Sequence, residues 1–202
     1  MKYLRILMAA LSLMIITSAC GNGLSADRFQ GIQKKLFELK SYKCVAEIKI
    51  VSNKNSTRYL VNQLYLHPSK FKMEVIEPEF LKGILTVSNG NETRVSNPNL
   101  DTNNTYVSEN LIKLTGNNIL ITYFFSNYVN SEKSKMEIAG ERYRLKTYIP
   151  SETDYMETEI LSINREGYPE SLEMFDKEGR LKIGIKYREF VMNPRLEENI
   201  FK

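Results

Sequence analysis

Histidine is almost missing from this chain: His67 is the only one in 202 residues, and there are only two cysteines, Cys20 and Cys44. With no C-x-x-C spacing and no EF-hand pattern, a resident zinc or calcium ion has no ligand set to stand on. His67 precedes Pro68 at a strand-to-turn junction, and no serine lies in a G-x-S-x-G context. A histidine-based triad therefore lacks its nucleophile, and His67 reads as an exposed turn residue. A glycine-rich phosphate loop is also absent. Acid pairs do occur, such as Glu157 with Glu159, but any charged strand face offers them, so this pair is expected to be solvated. These absences argue against an enzyme and call for no cofactor.

Long apolar runs are scarce too. The uncharged stretch Ile6–Ile16 falls well short of the ~20 residues that a helix needs to cross a bilayer. It follows Lys2 and Arg5 and leads through Thr17-Ser18-Ala19 to Cys20, which is a secretory signal layout. Charge of one sign is lacking as well: the formal charge is +4, and +2 without Lys2 and Arg5. That is no nucleic-acid footprint.

Small residues followed by cysteine at the end of a signal resemble the bacterial lipobox. The resemblance implies a diacylglyceryl thioether on Cys20, removal of residues 1–19, and acylation of the new N-terminus by a fatty acid such as palmitate. Two or more acyl chains hold a protein stably on a membrane. The expected organisation is thus a signal peptide (1–19), a lipidated tether (20–25) and one domain (26–202), located outside the cytoplasm. Lipidation of Cys20 leaves Cys44 without an internal partner, so the domain must rely on its core. Cys44 shares one face of "YKCVAEIKIV" with Ala46, Ile48 and Ile50 and reads as a buried small hydrophobe; a reactive thiol is the alternative.

The first element predicted is a helix: Phe29, Ile32, Leu36 and Leu39 recur at helical spacing, with Ser25 available as N-cap. From Tyr42 the period becomes two. "YKCVAEIKIVS", "TRYLVNQLYLH", "KFKMEVIE", "GILTVS" and "ETRVS" read as five strands, the last two joined by the hairpin signal Asn89-Gly90. Loops this short require antiparallel neighbours. Next comes "SENLIKLTGNNILITYFFSNYVN", whose second half, ending in Tyr123, Phe124, Phe125 and Tyr128, reads as a helix. Strand periodicity returns in "SKMEIAG", "ERYRLKTYIP", "DYMETEILSIN", "PESLEMFD" and "RLKIGIKYREF", with Lys177-Glu178-Gly179 as a turn; apolar Ile200 and Phe201 are expected to dock on the sheet. The fold class is mainly β (α+β): a curled antiparallel sheet of about 10–11 strands, an incomplete barrel with helices as a lid.

The segment Leu64–Asn99, with Pro68, the basic-apolar strand Phe71–Val75, Pro78, Gly90 and Pro98, resembles the lipoprotein-carrier superfamily of LolA and LolB. That resemblance implies the same half-barrel. Within the superfamily the chain is similar to the germination lipoproteins of clostridial spore formers. These imply a non-catalytic partner of a cell-wall N-acetylmuramoyl-L-alanine amidase, which supplies the zinc and the chemistry for muramic-δ-lactam in spore cortex. Two function classes follow. One is a membrane-tethered module that binds and licenses an amidase, with Tyr123, Phe124, Phe125, Tyr128 and Met73 as contact candidates against a first reading of core packing, and with strand-exchanged homodimerisation as a side expectation. The other is a carrier or acceptor of acyl chains, with a hollow concave face lined by residues such as Leu64, Met73, Leu145 and Ile160.

Overall fold

Helix α1 (Ala26–Phe37) turns Phe29, Ile32 and Leu36 inward, as their spacing predicts. The Ser25 hydroxyl accepts the Arg28 N–H at 3.1 Å, satisfying one of the orphan donors of the first turn. Asp27 in the first turn and Lys34 and Lys35 in the last oppose the helix dipole. In this computed structural model, which describes residues 24–98, 119–150 and 156–202, the expected signal, Cys20 and the first half of the helical insertion lie outside the described residues.

Five strands follow: β1 (Ser41–Val51), β2 (Ser56–Leu66), β3 (Lys70–Glu77), β4 (Leu85–Ser88) and β5 (Thr93–Ser96). Helix α2 (Ile121–Asn130) comes next, and then β6 (Lys135–Ala139), β7 (Arg142–Tyr148), β8 (Thr158–Asn164), β9 (Pro169–Phe175) and β10 (Leu181–Met192). All ten strands form one antiparallel sheet in the order β5-β4-β3-β2-β1-β10-β9-β8-β7-β6. The meander expected from the short loops of β1–β5 and a second one, β6–β10, are therefore joined by a pairing of β1 with β10, which leaves β5 and β6 as the edges among the described residues. Where β10 passes β1 the register shifts between Lys43 and Val45, and Glu189 in β10 takes a left-handed φ of 51°. The extra residue bends the strand locally.

Alternation selects the inner face. Tyr42, Cys44, Ala46 and Ile48 of β1 are buried, opposite Tyr65, Gln63, Val61 and Tyr59 of β2. On the far side Leu145 faces Leu161, which faces Leu172, and all three are fully buried. Each such leucine stabilises the fold by about 2–3 kcal/mol. Both helices join these residues in a single apolar cluster, where Phe29 of α1 meets Tyr143 of β7 at 5.1 Å between rings.

The turns explain several motif residues. Gly90 has a φ of 97°, and a Cβ there would lie 2.8 Å from the Ser69 hydroxyl. Gly83, also left-handed at 82°, lies under Pro98, whose Cγ would be 2.9 Å from an added Cβ. In the β9–β10 turn the Asp176 carboxylate accepts the backbone N–H groups of Glu178 and Arg180 at 3.1 and 2.8 Å. It also pairs with the Arg180 guanidinium at 2.7 Å and the Lys182 ammonium at 3.3 Å. At the C-terminus Phe201 is buried as expected, and Lys70 of β3 pairs with Glu198 at 2.8 Å.

Two expectations are corrected by strand parity. Glu159 is not solvated: it sits inside β8, between Thr147 and Met174 on the concave face, and is 2% exposed. Glu157 precedes that strand. Leu64 and Ile160, offered as concave lining, point to the convex face. Leu64 pairs there with Lys43 and Lys72, and Ile160 with Lys146 and Glu173.

Candidate functional site

The mouth of the half-barrel lies where the end of α1, one side of α2 and the β2–β3 turn converge. They frame an open groove of about 500 Å³, with Phe37, Tyr65, Phe71, Tyr123 and Val129 among its lining residues. His67, exposed at the turn, is at its rim. Its backbone N–H donates to the Lys40 carbonyl at 2.7 Å, which ties the turn to the end of α1. Val129 is 63% exposed, so α2 presents an apolar side chain to the groove.

The candidate contact residues divide by helix face. Phe124 is 0% exposed and Phe125 is buried; their rings lie 6.0 Å apart, with Tyr128 stacked 5.7 Å from Phe124 and Phe37 at 5.3 Å from Phe125. These two phenylalanines hold α2 to the sheet. Tyr123 and Tyr128 are half-buried, and burial raises both phenol pKa values. Met73 is buried on β3, opposite Gln63. Tyr123 is thus the candidate that the groove exposes. Cys20, the expected lipid site, lies outside the described residues.

The concave interior beneath the helices is packed and partly polar. The Tyr42 hydroxyl donates to Gln63 Oε1 at 3.4 Å, and Cys44 Sγ lies 3.8 Å from the same oxygen. Gln63 Nε2 and the Tyr187 hydroxyl are buried without a hydrogen-bond partner among the described residues. Burial pushes the Cys44 thiol up to about 12, which makes it inert rather than reactive. Burial likewise pushes Glu159 up to about 7, against the opposing pull of a hydrogen bond from Asn127. Period-two alternation already placed Glu159 on the same face as Leu161 and Ile163, a signal that its chemical type obscured.

No group of three or more His, Cys, Asp or Glu residues that could hold a metal occurs among the described residues. Nor is any helix among them long and apolar enough to cross a membrane.

Comparison with known proteins sets this geometry in context. The family model described as "Sporulation protein YdcC-like" matches residues 1–201. Sporulation protein YdcC of Bacillus subtilis strain 168 is 21% identical over 202 residues, covering 97% of this chain and 58% of the relative. The chain therefore spans little more than half of that relative. Among solved structures, one chain of the structure of the CwlD amidase from Clostridioides difficile in complex with the GerS lipoprotein matches at 26% identity and a TM-score of 0.51, covering 84% of this chain and 96% of the matched one. The LolA superfamily protein NE2245 from Nitrosomonas europaea is similar at 14% identity, with a TM-score of 0.46 and coverage of 86% and 96%.

Proposed function

Because the chain belongs to the family of YdcC-like sporulation proteins, we propose that it is a non-catalytic, membrane-anchored lipoprotein that binds and licenses a cell-wall N-acetylmuramoyl-L-alanine amidase. In this reading the amidase carries the zinc and makes the muramic-δ-lactam of spore cortex, so that the spore can later germinate. The observation that carries it is the likeness, at 26% identity, to a structure in which the GerS lipoprotein accompanies an amidase. The interior supports the same reading, because the concave face is filled by two helices and aromatic side chains.

Residues 1–19 act as the signal and Cys20 as the lipidated first residue of a tether that runs to Ser25. The domain then sits outside the cytoplasm, on a membrane facing the cortex. Confining both partners to one surface raises their effective concentration without any new contact. The edge strands β5 and β6 are where strand exchange with a second copy would occur.

A second reading, a carrier of acyl chains, is favoured by one observation, the groove of about 500 Å³ at the mouth. A pull-down of the tagged protein from sporulating cells, followed by an amidase assay with and without it, separates the two. Co-purification and altered amidase activity are expected. Failure to bind or affect any amidase, together with lipid bound to the purified protein, overturns the first reading in favour of the second. Cys20→Ala should abolish lipidation and membrane partitioning; unchanged mass and partitioning would refute the anchor.

A further inference from the structure

Helix α2 is fixed to the sheet by a polar clasp as well as by its aromatic face. Asn127 Nδ2 donates to Glu159 Oε1 of β8 at 2.8 Å. Thr147 Oγ1 of β7 donates to the Asn127 carbonyl at 3.3 Å. Just past the helix, Ser134 Oγ donates to the Tyr128 carbonyl at 2.7 Å and lies 2.7 Å from Thr147 Oγ1. One half of the clasp belongs to the lid and the other to fixed strands.

Of the four clasp side chains, only Glu159 can change charge near neutral pH. Among the described residues, Thr147 from β7 and Met174 from β9 flank it across the strands, Asn127 from α2 donates to it, and Tyr187 from β10 is near enough to feel its charge. Tyr187 is kept protonated by burial, with Cys44 and Glu159 adding to the effect. Among the described residues, burial and the Asn127 amide govern its titration.

We propose that Glu159 is a proton-operated latch for α2: protonated, it keeps the lid seated, and on losing its proton it loosens the lid. The direction follows from solvation. A carboxylate that is 2% exposed with one donor at 2.8 Å lacks the two or three donors that normally stabilise a buried anion. Lifting α2 returns it to water. The neutral acid loses little by staying and still accepts the Asn127 N–H. The latch does not depend on the amidase reading.

The seated carboxyl titrates at about 7 and an exposed one at 4.5. The opening equilibrium is therefore flat below the lower value, rises about tenfold per pH unit between the two, and is flat above the upper. The total span is roughly 300-fold.

Hydrogen exchange of the full-length chain, expressed as protection factors to remove intrinsic pH dependence, tests this. Protection of residues 121–130 should fall about 50- to 100-fold from pH 5 to pH 8, and at every pH these amides should open at a lower free energy than those of the central strands β1 and β10, which exchange only through global unfolding. Glu159→Gln should hold α2 at its pH 5 protection throughout. His67→Gln, which removes the only histidine, should retain the wild-type profile. A wild-type profile in Glu159→Gln, or a flat profile in the wild type, overturns the latch. Should Glu159→Gln fail to fold, a 13C-carboxyl titration of the wild type decides: a Glu159 midpoint near 7 supports the latch, and one near 4.5 with α2 seated overturns it.

Discussion

Replacing Phe124 by alanine separates a structural role for the α2 aromatics from a direct partner contact. The side chain is 0% exposed, and its ring lies 5.7 Å from Tyr128 and 6.0 Å from Phe125. A buried Phe→Ala change costs about 3–5 kcal/mol through lost transfer energy and the remaining cavity, and lost ring contacts account for roughly 1 kcal/mol of that. Helix α2 has ten residues, of which Ile121, Phe124 and Phe125 are the buried ones, and a helix that short does not persist unsupported. Phe124→Ala should therefore destabilise the domain by about 3–4 kcal/mol in urea unfolding followed by circular dichroism. If α2 detaches before the sheet melts, the m-value also falls. Tyr123→Ala, at the groove, should cost less than about 1.5 kcal/mol and weaken amidase binding in the pull-down while leaving the sheet intact. A Phe124→Ala protein within about 1 kcal/mol of wild type, or a Tyr123→Ala protein destabilised as much as Phe124→Ala, would refute this division.

Glu159 is raised from 4.5 to about 7 in the fold, so stability should be greatest at or below the lower value and decline as pH rises toward the upper. The ionised state costs up to about 3 kcal/mol at pH 8, and Glu159→Gln should recover most of this and flatten the profile in urea titrations at several pH values. Cys44, with its thiol pushed up to about 12, should resist iodoacetamide at pH 8 in the native state and react on unfolding; rapid native labelling would contradict its burial. Asn193, at a left-handed φ of 54°, accepts the Lys40 and Ser41 backbone N–H groups at 2.8 and 3.3 Å. Asn193→Ala should lower stability by about 2 kcal/mol and expose the start of β1 to hydrogen exchange.

Much of this architecture was legible because period two is hard to mistake over strands such as β1 and β10, where apolar residues recur at every second position. Helix α1 was equally plain, since Ser25 and the Phe29, Ile32, Leu36 series agree on where it begins and which way it faces. Strand order was not legible: nothing in β1 or β10 names the other as its partner, because antiparallel pairing is sealed by a shared inner face that many strands could supply. Glu159 was misread for a different reason. Its type argues for solvent and its position in the alternation for burial, and position won, since shifting β8 by one residue would have turned Leu161 and Ile163 outward. Leu64 and Ile160 show the converse, apolar side chains left on the outer face by the same parity. The groove depends on how α1, α2 and the β2–β3 turn meet, which no local pattern encodes.

The pairing of β1 with β10 places the strand made last among the ten in the middle of the sheet. Lys40 and Asn193, joined by a hydrogen bond, are separated by 153 positions, so the central ladder closes a very long loop. Such non-local closure slows folding relative to hairpin formation. Until β10 arrives, the first meander has an open edge along all of β1 and the second has none of its central support. Loss of a C-terminal segment would therefore not trim a margin of the sheet. It would split the sheet at its midline and leave two incomplete meanders, each with an open edge able to pair with another chain. The sheet closes as a whole only once β10 has emerged.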